Sequence, residues 1–397
     1  MPETNVAIDG ARWVINGKPT YRGQTFRSQT VEGLLFNARM VQATFDDENA
    51  LTRPLWAYPD TGAWDAERNT AECTAAMPSW RAHGLAAITV CLQGGRAVGY
   101  RSHDPDALLL RFRERGVSAS DEAIWAGLEG SIVDQLGLDR RRSQPWHNSA
   151  FTAEGELKPA YFGRLARVLD AADGLGMVVI VSLFYQGQDE RLRDEAAIRR
   201  AVEGACGWVL DRGYTNVVIE INNECNVSSY EHAILQPGRV QELIELAKGV
   251  TKNGRRLLAG TSYAGMRSPD DEVAAVSDLL TMHGNGAQDP DQIAQLVAQA
   301  RALPSYQRRP MPVVFNEDYH FRFEQPRNNF LAAVESYAGW GYYDPGKTVD
   351  GHQVVDRYWH SNYEDGYQMV PVNWTINTPW KQGFFRLLKE ITGGTGA

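Results

Sequence analysis

Two glutamates, Glu224 and Glu317, each follow an asparagine at the end of a short run rich in β-branched residues. The runs read VVIEINNE over residues 217–224 and VVFNE over residues 313–317. When two carboxyl groups face each other, one can act as an acid and the other as a nucleophile, because the negative charge of one raises the pKa of the other and keeps it protonated. Such a pair can cleave a glycosidic bond with retention: one group protonates the leaving oxygen and the other attacks the anomeric carbon.

The asparagine before Glu224 has a use in the same chemistry. Its amide is an uncharged hydrogen-bond donor and acceptor, so it can bind a sugar hydroxyl without changing the charge balance of the two carboxyl groups. We therefore predict that Asn223 binds the hydroxyl next to the reacting carbon. The strand before it would then act as a rigid arm for the site.

The elements that must position these residues alternate between strand-like and helix-like segments, which is typical of a parallel sheet in an α/β fold. The last strand has two candidates, residues 340–344 and 367–374. Eight strand–helix units favour a single (β/α)8 TIM barrel. A doubly wound open sheet is the alternative, but no glycine fingerprint follows the first strand. The other strands are predicted at 37–45, 85–93, 177–185, 216–221, 256–262, 278–284 and 311–317.

The catalytic groups of a parallel barrel lie at the carboxyl ends of its strands, around the mouth. The predicted fourth and seventh strands end at Glu224 and Glu317, on roughly opposite sides of that mouth. The carboxyl ends of all the predicted strands deliver Gln42, Asp46, Gln93, Tyr185, Asn223, Glu224, Tyr263, His283, Glu317 and either Trp340 or Trp374.

Residues 1–397 are predicted to form one catalytic domain with two additions. Asn16-Gly17 stands between two short β-rich runs and predicts a hairpin turn, so residues 1–30 are expected to form a short β-hairpin cap. Residues 95–150 lack core periodicity and are interpreted as a long loop insertion between the second strand and the third strand–helix unit, one of the elaborated loops of the barrel.

Composition excludes several classes of partner. A net charge of −9 argues against nucleic acid, because backbone phosphates require clustered Lys and Arg. Four widely spaced cysteines give neither a zinc motif nor a disulfide framework. No 18-residue apolar window or leader pattern is present, so we expect no membrane partner and a cytoplasmic location, or a secreted one if a leader was removed.

These residues resemble clan A of the glycoside hydrolases, the cellulase-like retaining barrels, and most closely its family-five type. The features that carry the likeness are INGKPTYRG before the first strand and the two Asn-Glu pairs, over nearly the whole chain. The resemblance implies Glu224 as acid/base, Glu317 as nucleophile and Asn223 as hydroxyl-binding neighbour. It further implies that Arg39 braces the nucleophile, that His283 is a site histidine, and that Trp340 or Trp374 forms the aromatic floor of the sugar subsite.

The sequence departs from the family pattern at two places. Cys225 follows the acid/base where a proline is usual. The family often has His-x-Tyr on the sixth strand, whereas this chain has His283 followed by Gly284 and Asn285. Tyr263 is the predicted replacement for that tyrosine.

The predicted partner is a carbohydrate, with no cofactor and no metal, since HxH, HExxH and clustered carboxylate motifs do not occur. Further candidates for substrate binding are Gln93, and Trp146 and His147 in the long loop. Two alternatives to hydrolysis stay open: a catalytically silent carbohydrate-binding barrel, and a transglycosidase with the same intermediate. The sequence leaves the sugar, the linkage, endo or exo cleavage and the oligomeric state open.

Overall fold

The computed structural model describes residues 2–50, 52–95, 146–346 and 366–394, with positions 97, 113, 120, 144, 348–349 and 352–353 between them. Its centre is a parallel sheet whose strands we number β1 to β8. They are β1 (Asn37–Arg39), β2 (Ala87–Cys91), β3 (Val178–Phe184), β4 (Val217–Asn222), β5 (Leu258–Gly260 continued by Ser262–Tyr263), β6 (Leu280–His283), β7 (Val313–Asp318) and β8 (Gly339–Tyr342).

The sheet closes on itself through β5. Its two outermost segments are Leu258–Gly260, which pairs with β4, and Ser262–Tyr263, which pairs with β6. Because only Thr261 separates these segments, they are two halves of one strand, and the sheet is a closed barrel of eight strands. Neighbouring strands are parallel throughout. The predicted (β/α)8 barrel is confirmed, and the open sheet is excluded.

The eighth strand comes from the first of the two candidate segments. Gly339–Tyr342 pairs with β7 on one side and with β1 on the other. Residues 367–374 form bends and irregular chain instead. Pro371 in that segment has no N–H to give to a ladder, which disfavours a central strand there.

Helices follow the strands on the outside of the barrel, as the apolar stripes predict. In the helix Pro159–Asp173 (α2) the stripe Phe162, Leu165 and Val168 is buried, and Pro159 occupies the first turn. The described helices are α1 (Ala66–Ala82), α2 (Pro159–Asp173), α3 (Glu195–Asp211), α4 (Val240–Gly249), α5 (Asp271–Val276), α6 (Pro290–Ala302), α7 (Pro304–Arg308), α8 (Asn329–Glu335) and α9 (Pro379–Thr392).

The N-terminal cap is a three-stranded antiparallel sheet and is therefore larger than the hairpin that the sequence predicted. Its strands are Val6–Asp9, Arg12–Ile15 and Lys18–Pro19. The predicted turn is present: Asn16 and Gly17 have φ values of 52° and 75°, the two positive values that a tight hairpin turn requires.

The cap closes the amino-terminal end of the barrel. Trp13 is 1% exposed and packs in one apolar cluster with side chains from the beginnings of the strands. The members of that cluster are Leu35, Ala86, Ala87, Val178, Ile180, Val218, Leu279 and Val314. The open, polar end of the barrel is consequently the opposite end, where the strands finish.

Most of the insertion predicted at 95–150 lies outside the described residues. Its described end returns to the barrel, where Ser149 bridges Gln93 and the His147 N–H donates to Asp47 Oδ1 at 2.8 Å. Within the described residues, no helix has both the length and the apolar character needed to cross a bilayer.

Candidate active site

Glu224 leaves β4 in an unusual backbone conformation. Its φ is 55°, in the left-handed region that residues other than glycine rarely adopt. Ser262 of β5 holds the turn: its Oγ accepts a hydrogen bond from the Glu224 N–H at 2.9 Å, and its carbonyl accepts one from the Cys225 N–H at 2.9 Å. Backbone strain that neighbours maintain in this way is common at functional sites.

Glu317 lies near the end of β7, directly after an irregularity in the strand. Met282 pairs with Phe315, yet the next residue, His283, pairs with Glu317, so Asn316 is an extra residue on β7. A regular strand would point Asn316 and Glu317 to opposite faces. The bulge re-aims the side chains on this side of the mouth, as bulges next to active sites often do.

The two glutamates meet at His283, at the end of β6. The His283 Nδ1 atom is 2.8 Å from Glu224 Oε1 and 3.7 Å from Glu317 Oε1. One side-chain atom from each of the three residues lies within 4.8 Å of the other two. His283 is fully buried, whereas the Glu224 and Glu317 side chains are 17% and 8% exposed. The structure therefore brings together two carboxyl groups that are 93 positions apart in the chain.

Arg39 links the second carboxylate to the interior of the barrel. Its Nε lies 2.8 Å from Glu317 Oε2, and its Nη2 donates to Asn223 Oδ1 at 2.7 Å. Below it, Glu220 Oε2 is 3.9 Å from Nη1, and the other Glu220 oxygen accepts a bond from Asn316 Nδ2 at 2.9 Å. Burial opposes the charge of Arg39, but the carboxylates of Glu317 and Glu220 outweigh it and raise the pKa of Arg39.

His283 holds its proton more readily than a free histidine. Burial alone would lower the pKa of His283, but the charge of Glu317 and the hydrogen bond to Glu224 outweigh it and raise that pKa. At 2.8 Å, one proton can lie on either atom of the bond between His283 Nδ1 and Glu224 Oε1. The mouth thus contains a proton donor beside a carboxylate that is paired with arginine.

Asn285 is a site residue that the sequence reading did not assign. Its Nδ2 donates to Glu317 Oε1 at 2.6 Å, so both oxygens of Glu317 contact side-chain donors. Tyr263, which we predicted to contact the nucleophile, does not do so. Its ring is buried, and its hydroxyl lies 3.4 Å from Asp270 Oδ2, before helix α5. The contact expected from a tyrosine at the sixth strand comes from the amide two residues after His283.

Tyr319 is a second residue that the sequence reading missed. It is partly buried two positions after Glu317. Burial raises the pKa of Tyr319, and the charges of Asp318, Glu317 and Glu224 add to that rise. Tyr319 lines a cavity together with Asn285, the residue that donates to Glu317. An aromatic residue two positions beyond a catalytic strand end is the signal that could have found it.

Trp340 does not form the predicted aromatic floor. Its ring is fully buried, stacks on Phe330 with 4.9 Å between centroids, and donates from Nε1 to Asp318 Oδ2 at 3.1 Å. The cause is strand alternation: the next residue, Gly341, faces the barrel interior, where an added Cβ would lie 2.6 Å from Asn37 Nδ2. Trp340 therefore faces the helices.

Trp374 is likewise placed in the helix layer. It is 2% exposed, lies 6.3 Å from the ring of Trp80 on α1, and donates from Nε1 to Asn69 Oδ1 at 3.3 Å. Because residues 367–374 form no strand, nothing directs this side chain into the mouth. The predicted contact of Trp374 with sugar is wrong for this structure.

Three other predicted substrate residues have contacts within the loops. Gln93 is buried and donates to Ser149 Oγ at 3.0 Å. Trp146 is fully buried, edge-on to Trp56 at 5.6 Å. His147 Nδ1 is 3.6 Å from Glu48 Oε2, and burial lowers the pKa of His147 to about 3. These contacts do not bring the three residues to Glu224 or Glu317, so their role in binding stays a prediction.

Glu224, His283 and Glu317 are also close enough together to offer three ligand atoms to a metal ion. Both oxygens of Glu317 already contact donors, the cationic Arg39 and Asn285. A metal would have to compete with that guanidinium for the carboxylate. The arrangement is better suited to moving a proton between His283 and Glu224 than to holding a cation.

Comparison with known proteins finds no matching family model and no curated protein that matches. Solved structures with a similar architecture include a broad-specificity GH5-4 endoglucanase from Bacteroides salanitronis and a β-mannanase from the blue mussel Mytilus edulis. The first is 11% identical with a TM-score of 0.48, and the match covers 90% of this chain and 92% of that one. The second is 10% identical with a TM-score of 0.48, over 99% and 98% of the two chains.

A family 5 glycoside hydrolase from Bacteroides vulgatus is 10% identical with a TM-score of 0.44, over 91% of this chain and 69% of that one. Another chain from the same organism is matched over 57% of its length. Identities this low, with TM-scores below 0.5, describe a similar architecture and carry no information on the substrate of this chain.

Proposed function

We propose that this chain is a retaining O-glycoside hydrolase that cleaves a β-linked glycan or glycoside by double displacement. The observation that carries the proposal is the geometry of Glu224 and Glu317, whose ligand atoms lie within 4.8 Å of each other across His283. Retaining enzymes place their two carboxyl groups about 5–5.5 Å apart, whereas inverting enzymes leave about 6.5–9.5 Å for a water molecule. The spacing supports retention.

The partners of the two carboxyl groups support one role for each. Glu317 is held through both of its oxygens, by Arg39 at 2.8 Å and by Asn285 at 2.6 Å, and two fixed donors orient the carboxyl group for attack. Glu224 Oε1 lies 2.8 Å from His283 Nδ1, and a neighbour that can carry a proton suits a group that must donate a proton and later accept one. In the proposed reaction the Asn223 amide, whose Oδ1 accepts a hydrogen bond from Arg39, binds the neighbouring sugar hydroxyl.

The proposed reaction has two steps. Glu317 attacks the anomeric carbon while the bond to the leaving oxygen breaks, and that oxygen takes the proton of Glu224. Glu224, now a carboxylate, then removes a proton from water, whose oxygen attacks the anomeric carbon and displaces Glu317. Two inversions leave the anomeric configuration unchanged.

The two alternatives are a catalytically silent binding barrel and a transglycosidase. The distance between the carboxyl groups distinguishes the first from a hydrolase, and the products distinguish the second. A silent binding barrel is favoured by carboxyl groups much farther apart than about 5.5 Å, which is not the arrangement of Glu224 and Glu317. A transglycosidase uses the same intermediate but transfers the sugar to a hydroxyl other than that of water. Product analysis at high acceptor concentration separates this reaction from hydrolysis.

The test is a screen of aryl α- and β-glycosides of varied sugars, followed by NMR of the first sugar anomer released from the best substrate. We expect hydrolysis of a β-glycoside with the β-anomer appearing first. Release of the α-anomer first, or no hydrolysis of any aryl glycoside, would contradict the proposal.

A further inference from the structure

A cavity adjoins the glutamate pair on the side of β6 and β7. It has a volume of about 350 Å³ and lies between the segments that follow these two strands and the start of α8. Asn285 and Tyr319 line it. Asn285 donates to Glu317, and the charge of Glu317 is one of the causes that raise the pKa of Tyr319. Cavities that bind small ligands in proteins have volumes of about 300–1,000 Å³, so this one lies near the lower limit. This space can therefore accept a small group that is continuous with whatever occupies the glutamate pair.

One wall of the cavity is a stacked pair of rings. Tyr319 and His320 lie with centroids 5.4 Å apart and planes only 9° from parallel, and both are partly exposed. A part-buried hydrogen bond fixes the His320 ring, because its Nδ1 lies 2.5 Å from Asp318 Oδ1. A fixed ring face offers apolar contact at little conformational cost.

Three of the charged side chains that line the cavity have partners of their own, namely His320, Arg327 and Asp289. His320 pairs with Asp318, and burial would lower the pKa of His320, but the hydrogen bond and charge of Asp318 raise it. Arg327 forms an ion pair with Asp291. Asp289 is occupied as the N-cap of α6, where it accepts from the Asp291 N–H at 2.7 Å. The cavity thus presents hydrogen-bonding groups of both kinds without a clear excess of one charge.

The rest of the lining is rich in side-chain amides, with exposed Gln288 and Gln325 at the rim beside exposed Arg322. Donors, acceptors and a ring face together fit a neutral polyhydroxylated ring better than an ionised group, which would require an unmatched charge.

We propose that this cavity is a subsite for a second, uncharged sugar ring, so that the substrate is an oligosaccharide rather than a glycoside with a small aglycone. The inference rests on the proposed function and adds the substrate class. Tyr319 and His320 provide the ring face, and Gln288 and Arg322 bind hydroxyl groups from the rim.

The experiment compares kcat/KM for a tetrasaccharide with kcat/KM for the aryl glycoside of the same sugar. Cellotetraose is used if the aryl screen selects glucose, and mannotetraose if it selects mannose. We expect Arg322→Ala to lower the ratio of the two values about tenfold, the effect of losing one hydrogen bond to a charged donor. Gln288→Ala is expected to lower it less, and it keeps the test valid if the arginine variant folds poorly.

The matched control is Arg193→Ala, which removes an exposed arginine that pairs with Glu154 before α3. It should leave the ratio unchanged. A ratio within twofold of the wild-type value in both rim variants would overturn the subsite while leaving the proposed function intact. Failure of the wild type on every aryl glycoside would instead overturn the proposed function, and the subsite with it.

Discussion

The two Asn-Glu pairs look alike in the sequence but have different surroundings in the structure. At β4, Asn223 contacts Arg39 at 2.7 Å, and Glu224 turns out of the strand with a φ of 55° towards His283. At β7, a bulge adds Asn316, whose amide contacts Glu220 inside the barrel. Glu317 remains in the strand and faces Arg39.

This difference supports the two roles proposed for the glutamates. Glu317 is fixed by a buried guanidinium and an amide, whereas Glu224 is hydrogen-bonded to His283, an imidazole whose pKa is raised. Glu317 is accordingly the proposed nucleophile and Glu224 the proposed acid/base. The two asparagines also differ. Asn223 directly precedes Glu224 and accepts from Arg39, whereas the Asn316 amide donates to Glu220 inside the barrel.

Removing the carboxyl group at β7 is expected to have the largest effect. Glu317→Ala should lower kcat for the best aryl glycoside by on the order of 10⁴-fold or more, because no covalent intermediate can form. Steady-state kinetics measure this loss. Circular dichroism of the variant must match that of the wild type, and an intact fold with near-normal kcat would break the assignment.

Removing the carboxyl group at β4 should have an effect that depends on the leaving group. Glu224→Ala is expected to lower kcat/KM about 10²- to 10⁴-fold for substrates whose leaving group needs a proton, since general acid catalysis contributes that much. The loss should be much smaller for a dinitrophenyl glycoside, whose leaving group departs unprotonated. An equal loss on both substrates would remove the distinction between the two glutamates.

Arg39 supports one glutamate more directly than the other, and its removal should destabilise the barrel. Arg39→Leu leaves Glu317 and Glu220 buried without their cation, at a cost of about 3–5 kcal/mol in the free energy of unfolding. Urea denaturation measures this value. Arg39→Lys keeps the charge but not the planar fork, so it should lose less stability. A leucine variant as stable as the wild type would show that the network is not needed for folding.

The contact from Asn285 should tune the nucleophile. Asn285→Ala removes a hydrogen bond to a charged oxygen of Glu317, which is worth about 1.5–3 kcal/mol and corresponds to about 10- to 100-fold in kcat/KM. Steady-state kinetics on the best aryl glycoside measure this loss. Asn285→Asp is the matched control: its carboxylate cannot donate to Glu317 and adds a repelling charge, so its kcat/KM should fall further. Values of kcat/KM within about twofold of the wild type in both variants would contradict the role given to this amide.

The smallest expected effect is that of His283, the partner of Glu224, on the pH dependence of the free energy of unfolding. Folding raises the pKa of His283, so protonated His283 stabilises the folded state. This stabilisation is complete below the ordinary histidine pKa of about 6.5, and it is lost as the pH rises through the pKa of the folded state. The stability difference between the wild type and His283→Gln should therefore be larger at pH 6 than at pH 9. Thermal unfolding at both pH values measures it, and a difference that grows with pH would reverse the argument.

The strand pattern could be predicted from the sequence because each buried strand is a compact apolar run between helices. β3 and β4, predicted over 177–185 and 216–221, are observed at Val178–Phe184 and Val217–Asn222. Glu224 and Glu317 could be predicted to meet because strand ends converge at one rim, whereas Arg39 was implied only by the family resemblance. That geometry requires only the order of the strands.

Side-chain direction was harder to predict, because it depends on one-residue details of register. Trp340 was assigned to the mouth from its place in a strand, but Gly341 and the interior beside Asn37 fix it on the outer face. Asn285 and Tyr319 lie just beyond the strands, where the path of the chain decides what they reach. A bulge such as that at Asn316 leaves no periodic signal in the sequence.

The roles of the two glutamates are tested most directly by azide rescue of Glu317→Gly and Glu224→Ala, with the anomeric configuration of each glycosyl azide determined by NMR. Azide replaces the missing nucleophile in the first variant and attacks the covalent intermediate in the second. The account predicts an azide of inverted configuration from Glu317→Gly and one of retained configuration from Glu224→Ala. The opposite pairing of configurations, or full activity of Glu317→Gly without azide, would contradict it.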